Sequence, residues 1–412
     1  VTALALPEAF RYRDFRLAQA GRLLTTLGTQ MQSVAVGWQV YTLTGKTLDL
    51  GYVGLAQFLP AFVLSLVAGQ VADRFDRKRI VLVCQLTFAA CAFALFALSS
   101  LHVRAVGPIY AVLVVFGATR AFAGPAAQSL LPSLVPPIHF AKAVASASSV
   151  YEIASIAGPA LGGLVYGAAK SASAVYLTTG VFCVAAASMT AQVQVQSTGG
   201  DGRAVTLARV FDGVRYVWNE KLILGAISLD LFAVLLGGAV ALLPAIAKDV
   251  LHTGPWGLGL LRSAPAVGAL LVAILLSYRP LKHGVGAKMF LCVALFGAAT
   301  VGFGLSTSFA LSLFLLAVIG AADMVSVVIR LTLVQVRTPE SMRGRVSAVN
   351  LVFVGASNEL GEFESGVTAA LFGLVPAVVV GGLGTMVVVG LWALLFPELR
   401  KADTLDLEPK AA

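Results

Sequence analysis

Charged residues are scarce in this chain: Asp, Glu, Lys and Arg make up 12% of its 412 residues, while 58% are hydrophobic. A soluble globular chain carries about 25% charge and about 45–50% apolar residues. A water-exposed surface is therefore excluded over most of the molecule, and an integral membrane protein is expected. Cysteine and histidine are also scarce, with four of each. Cys84, Cys91, Cys183 and Cys292 all fall inside apolar runs, which argues against a disulfide framework or a metal centre. His102, His139, His252 and His283 stand singly at loop edges and read as solvated, so no metal or cofactor is expected. HExxH, GxSxG and paired cysteine ligands are missing, so the chain does not read as an enzyme. The one GKT tripeptide, Gly45-Lys46-Thr47, lacks the preceding loop glycine and gives no ground for an ATP-driven pump. The first residues, VTALALPEAFRYRDFR, hold no long apolar core before a cleavage site, so no signal peptide is expected.

What is present comes in apolar runs of helical length, at about 20 residues per membrane crossing. They are drawn at 16–42, 48–72, 79–101, 105–131, 141–168, 171–194, 222–247, 256–278, 288–306, 308–334, 346–373 and 375–396. Ten-residue alternations are missing, which argues against a β-barrel. The expected fold class is an all-α membrane protein of twelve transmembrane helices. The one long gap, 195–221, starts Gly-rich and continues as LARVFDGVRYVW, a linker with a short amphipathic helix. With both termini on one side, that side carries twenty-one Lys and Arg, from Arg11, Arg13 and Arg16 to Arg400, Lys401 and Lys410. The other side carries only Lys46, Arg104, Lys170 and Lys248. Both termini and the linker are therefore expected in the cytoplasm. The net charge of +9 is topology of this kind, and nucleic acid is not an expected partner.

The halves repeat. A shift of 205 lays 52–74 on 257–279, matching Gly54, Pro60, Ala61 and Arg74 to identical residues. A shift of 203 lays 113–163 on 316–366, matching Gly117, Pro136, Gly158 and Gly163. Two pseudo-symmetric six-helix bundles follow, 1–194 and 222–412, joined by the linker and related by an axis along the membrane normal. The expected substrate path runs between such bundles, and membrane lipid surrounds them.

Ionisable residues inside the spans cost about 2.5–3.5 kcal/mol each at a helix centre on insertion scales, and normally face a cavity or one another. The bases are Arg22, Arg120, Arg262 and Arg330; the acids are Glu152, Asp230, Asp323, Glu359, Glu362 and Glu364. Acids exceed bases by two, and a carboxyl without a cation in a poorly solvated site favours its protonated form. Glu152, Asp323, Glu359 and Glu362 are the candidates for carrying protons. Arg22, Thr25, Thr26, Thr29 and Ser33 form one stripe of span 1, either cavity wall or helix packing. Ser148, Ser149, Glu152, Ser155 and Pro159 form another on span 5. Asp230 and Arg262 join the expected path. Arg330 either pairs inside or snorkels to the cytoplasmic surface. Glu359 and Glu362 share a helix face; Glu364 is turned roughly 200° from Glu362 and reads as a structural partner.

Several motifs carry a resemblance. Gly69-x-x-x-Asp73-Arg74-Phe75-Asp76-Arg77-Lys78-Arg79 resembles the loop after span 2 of the major facilitator superfamily, with Asp76 where that family often has Gly. Arg120-x-x-x-Gly124 resembles its span-4 arginine motif, and GPALGG at 158–163 its antiporter Gly-Pro motif. LDLGYVGLAQFLPAFVLSLVAGQVADR, RGRVSAVNLVFVGASNELGEFESG and LFPELR resemble, more narrowly, the enterobactin (siderophore) exporter family. The resemblance implies a proton-driven secondary exporter in the bacterial inner membrane. It makes Gly69, Asp73, Arg74, Arg77 and Lys78 a cytoplasmic gate, kept in the second half only as Arg279. It ties Arg120 to coupling, and makes Gly158, Pro159, Gly162, Gly163 and Gly361 points of helix flexing or close contact. It also implies that spans 5 and 8 pack together, which would bring Arg262 towards Glu152. The expected function is proton-coupled export of a siderophore or related polar-aromatic metabolite by alternating access, with the protein acting as a monomer. The alternative is a broad multidrug antiporter; a channel or flippase-like transporter ranks below both. Six methionines and 9% aromatics give no signature of promiscuity.

Overall fold

The structure is a computed structural model that describes residues 8–194, 207–279, 281 and 283–403. Among the described residues fifteen α-helices run in chain order: α1 Arg13–Thr44, α2 Thr47–Arg74, α3 Arg77–Ser100, α4 Gly107–Leu130, α5 Phe140–Ala169, α6 Ala172–Ala191, α7 Leu207–Asn219, α8 Lys221–Gly237, α9 Leu243–Ala245, α10 Pro255–Tyr278, α11 Val285–Leu305, α12 Phe309–Arg337, α13 Glu340–Phe372, α14 Leu374–Leu395 and α15 Pro397–Arg400. No strand occurs among the described residues. This is the all-α membrane fold expected from the hydropathy runs. Turn chemistry sets the ends: Gly45 closes α1 with φ +65° and donates its N–H to Tyr41, and the Asp76 carboxylate caps α3 by accepting from Lys78 N–H at 2.9 Å.

Nine stretches among the described residues are helical, long and apolar enough to cross a membrane. The other three expected spans, α1, α5 and α13, have 32, 30 and 33 residues and ample length. They fall short on composition alone, because they hold the polar stripes and the three glutamates. Large apolar side chains point outward along the long helices, among them Leu271, Leu291, Val387 and Leu394. In a bilayer those faces meet hydrocarbon, so their exposure costs nothing there.

The chain divides into two compact units. The first is Val1–Gly45, Leu55–Ala204 and Thr253–Ser263; the second is Lys46–Gly54, Val205–His252 and Ala264–Ala412. Each unit thus takes one short piece of chain from the opposite sequence half: the first turns of α10 for one, those of α2 for the other. Repeat-matched glycines make equivalent contacts. Gly117 of α4 lies against the Gln57 carbonyl of α2, and its match Gly320 of α12 lies against the Pro265 carbonyl of α10. Gly158 of α5 abuts Leu27 and Gln30 of α1, and its match Gly361 of α13 abuts Val234 and Leu235 of α8. Gly163 meets Gly259, and its match Gly366 meets Gly51. Small residues let helix backbones approach closely where burial against lipid provides no drive for association. The sequence repeat is therefore a repeat of helix contacts.

In the second unit, α7 docks against the elbow between α12 and α13. Val217 is buried with Ile227, Val334, Val346 and Val349. Tyr216 donates its hydroxyl to the Arg337 carbonyl at 3.1 Å, and Arg345 pairs with Asp212 at 3.1 Å. The amphipathic stretch of the linker is a helix seated on protein by this face, with Val214 and Trp218 exposed. Residues 195–206 of the linker and 404–412 of the tail lie outside the described residues.

Candidate transport sites in the two units

In the first unit, α1, α5 and the first turns of α10 carry the expected residues, most of which do not meet one another. The Arg22 guanidinium sits over the Tyr151 ring, 5.7 Å from its centroid. Glu152 follows on the exposed side of α5 and forms no ion pair among the described residues. Spans 5 and 8 do pack: Ser263 of α10 donates to the Ile156 carbonyl at 2.7 Å. The expected approach of Arg262 to Glu152 is not what results, because Arg262 donates Nη1 to Ser33 Oγ of α1 at 2.6 Å. The stripe on α1 is also divided. Thr25 points to α3, accepting from Gln85 Nε2 at 3.4 Å while donating to the Gly21 carbonyl. Thr29 bonds back to the Thr26 carbonyl at 3.1 Å. Ser155 Oγ is buried without a hydrogen-bond partner. Gly158 and Gly162 sit within contact distance of α1, and Pro159 lies inside α5, which runs through it unbroken from Phe140 to Ala169. Arg120 is exposed on α4, one turn from the Gly117 contact.

The loop after α2 ties three helices of that unit. Arg77 Nη1 donates to the Ser129 carbonyl near the end of α4 at 3.1 Å. Lys78 Nζ donates to the carbonyls of Ala191, the last residue of α6, and of Val193 just beyond it, at 2.9 and 2.6 Å. Arg77 and Lys78 thus bind helix C-termini, where carbonyls lack helical partners and the helix dipole is negative. Arg74 is exposed at the end of α2. The side chain of Asp73, and the surroundings of Gly69, lie outside the described residues.

In the second unit, α8 stops at Gly237. The chain turns at Gly238 (φ −75°, ψ 69°), passes a tight turn over Ala239–Leu242, and ends in a wide π-type turn over Ile246–Val250. Ser365 of α13 donates to the Gly238 carbonyl at 3.0 Å, which satisfies the backbone freed by the break. Upstream of the break, Asp230 pairs with Arg330 Nη1 of α12. Their side chains are 6% and 4% exposed, so Arg330 does not snorkel to the surface. Asp323 lies two turns before Arg330 and is partly exposed. Asp230, Asp323 and Ser326 border one cleft about the size of a water molecule, walled by Ala233, Val293 and Phe296.

The glutamates of α13 diverge. Glu362 turns towards α2, where a Cβ on Gly54 would lie 2.9 Å from its Oε2. Glu364 accepts from Thr368 Oγ1 at 2.5 Å. Glu359 is partly buried one turn before Glu362. Two carboxylates outside the spans are held below their ordinary range. Glu8 is lowered by its hydrogen bond and charge attraction to Lys142 Nζ, 2.6 Å away. Asp403 is lowered by the Gly284 N–H and by His283.

A family model described as transmembrane secretion effector, of the major-facilitator type, matches residues 5–412. The chain belongs to that family. Its similarity to curated transporters runs almost end to end. The multidrug efflux pump Tap of Mycolicibacterium fortuitum is 28% identical over 389 residues, covering 91% of this chain and 94% of that protein. The enterobactin exporter EntS of Citrobacter koseri is 25% identical over 392 residues, covering 94% and 92%. A crystal structure of the nucleoside transporter NupG superposes with a TM-score of 0.76 at 12% identity, over 93% of this chain and 100% of that one, a likeness of fold alone. This major-facilitator protein is a multi-pass membrane transporter and not an enzyme.

Sequence reasoning on this transporter missed the break in α8 and the part of Ser326. Signals for both exist. Gly237-Gly238 marks the break, and Asp323, Ser326 and Arg330 recur at i, i+3 and i+7 on one helix face.

Proposed function

We propose that the protein is a proton-coupled exporter of small polar-aromatic molecules of the siderophore type, working by alternating access in a bacterial inner membrane with both termini in the cytoplasm. It acts as a monomer in this reading. The observation that carries the substrate class is the first unit's pair of guanidinium contacts on α1, Arg22 over the Tyr151 ring and Arg262 held on Ser33, about three turns further along that helix. Such cations suit electron-rich rings and anionic oxygens. The surplus of acids over bases in the spans supports the coupling. Protons enter through Glu152, Asp323, Glu359 or Glu362, with Arg120 modulating their charge, and the change of charge biases one access state over the other.

Multidrug efflux is the second reading. It is favoured by the likeness to Tap and by the exposed Glu152, a carboxylate that suits cationic drugs. The two separate in one comparison: a deletion strain and its parent are grown without iron and their media profiled. Loss of a secreted chelator supports the siderophore reading. Unchanged chelator with raised sensitivity to cationic dyes overturns it in favour of multidrug efflux. Transport in proteoliposomes that ignores an imposed pH gradient overturns the coupling.

A further inference from the structure

We propose that the cleft bordered by Asp230, Asp323 and Ser326, beside the Asp230–Arg330 pair, is a water-containing site for a single proton, with Asp323 as the carboxyl that carries it. The inference rests on the proton-coupled reading for its purpose, but its chemistry stands apart from it.

Charge balance comes first. Asp230 and Arg330 form a pair buried from solvent, and together they are neutral. Asp323 adds a second carboxyl at the same cleft. From α8 the cleft receives Asp230, from α12 Asp323 and Ser326, and from α11 only the apolar Val293 and Phe296. On α13, which also packs against α8, Glu362 is directed to Gly54 and Glu364 is bonded to Thr368. With both acids ionised the cluster carries one uncompensated negative charge in a poorly solvated place, a state that burial opposes strongly. One proton removes it.

Access decides which acid takes the proton. Asp230 is 5% exposed, whereas Asp323 is partly exposed. Two further observations point to an occupant. Ser326, 2% exposed, lines the cleft with an Oγ that has no hydrogen-bond partner. Arg330, 3% exposed, uses Nη1 on Asp230 and leaves Nε without a partner. Among the described residues the orphaned Ser326 Oγ lies beside a cavity of one-water size, and a bound water there has Ser326, Asp230 and Asp323 as its polar partners. That water connects Asp323 to Ser326 and gives the proton its route.

The proton then controls a contact. When Asp323 is protonated, Arg330 has one anion to bind and stays on Asp230, which joins α12 to α8. When Asp323 releases its proton, two carboxylates compete for one guanidinium, and the free Nε edge becomes the donor for the second. The tie between α12 and α8 weakens two turns from the place where α8 is broken at Gly237. No bond other than O–H is made or broken, and the proton leaves through water.

The test is infrared difference spectroscopy on the full-length protein in liposomes, titrated with pH, following the C=O stretch of protonated carboxyls. The wild type should show a band that titrates and that Asp323→Asn loses completely. Ser326→Ala should fold normally and shift the frequency of that band, because the carboxyl loses its water partner. Asp230→Asn should move the titration to lower pH, because Arg330 then turns to Asp323 and holds it ionised. A spectrum unchanged by Asp323→Asn across the titration overturns the site, as does a band abolished by sodium at constant pH. Flux driven by a pH gradient, measured in the same liposomes with the compound that the deletion strain identifies (the missing chelator or a cationic dye), separates the two readings. A titrating Asp323 band without gradient-driven flux refutes the coupling but not the site; gradient-driven flux with no such band refutes the site but not the coupling.

Discussion

Gly320→Ala should cost more stability than its size suggests, and the repeat says that Gly117→Ala should do the same. A Cβ on Gly320 would stand 1.9 Å from the Pro265 oxygen and 2.5 Å from its carbonyl carbon; on Gly117 it would stand 2.1 Å from the Gln57 oxygen. Both obstacles are backbone, so neither helix can yield by changing a rotamer. To restore ordinary contact near 3.4 Å, α12 and α10 must separate locally by about 1.5 Å. Overpacking of this kind costs about 1–3 kcal/mol, and the close Cα–H···O contacts that the glycines allow, about 0.5–1 kcal/mol each, are lost as well. Against this stands the helix propensity of alanine, worth about 0.5–1 kcal/mol. The net is a destabilisation of about 1–3 kcal/mol. The internal control is Gly355→Ala on α13, where nothing lies within 4 Å of the added carbon; it should be neutral or slightly stabilising. Cys84, Cys91 and Cys183 are buried while Cys292 is partly exposed, so labelling by a thiol-reactive fluorophore above the Cys292 signal reports unfolding in detergent without engineered cysteines. If Gly320→Ala melts at or above the wild type while Gly355→Ala behaves as stated, the account of close packing at repeat-matched glycines is wrong.

Three further perturbations follow. Asp230→Ala with Asp323→Asn leaves Arg330 buried without an anion and should cost about 3–5 kcal/mol, more than Asp230→Ala alone, where Arg330 turns to Asp323; melting of the two variants checks it. Glu8 is held below its ordinary value of 4.5 by Lys142, so its contribution is present above that value and is lost as pH falls through the lowered one. The melting difference between wild type and Lys142→Ala should therefore close at acid pH, and a difference that stays constant would contradict it. Gly54→Ala places its carbon 2.9 Å from Oε2 and 3.3 Å from Cβ of Glu362, with the nearest backbone atom, the Glu359 oxygen, at 3.9 Å. It should lower melting less than Gly320→Ala does while changing pH-gradient-driven transport, because the obstacle is a side chain and not backbone.

The fold was legible because lipid imposes two rules that a sequence cannot hide. Each crossing needs a long apolar run, and close helix contacts need small residues in register. The first gave the runs; the second placed Gly117, Gly158 and Gly163 opposite Gly320, Gly361 and Gly366 before any contact was known. The limits of the first rule are equally physical. Helices α1, α5 and α13 dilute their hydropathy with Arg22, Glu152 and the three glutamates, so composition alone undercounts the crossings. The seventh span reads as one continuous run, yet it breaks at Gly237-Gly238, and Ser365 of α13, 127 residues on, donates to the freed carbonyl.

The sites were legible only as residue types. Spacing on a helix shows which side chains share a face, not which neighbour that face meets. Arg262 was placed correctly at the join of spans 5 and 8, but the choice between Glu152 and Ser33 depends on the rotation of α1, which no local pattern records. Arg330 lies near a cytoplasmic end and snorkelling was open to it; the burial of Asp230 across on α8 decides against that. The same holds for the segment SNELGEFESG. Helix geometry separates Glu364 from Glu359 and Glu362, and Thr368 provides its partner one turn on. What distinguishes Glu362 is a glycine on α2, three hundred residues earlier in the chain, whose missing side chain leaves room for the carboxylate. An acid in a membrane is given its role by the residue that makes space or charge for it, and that residue lies on another helix.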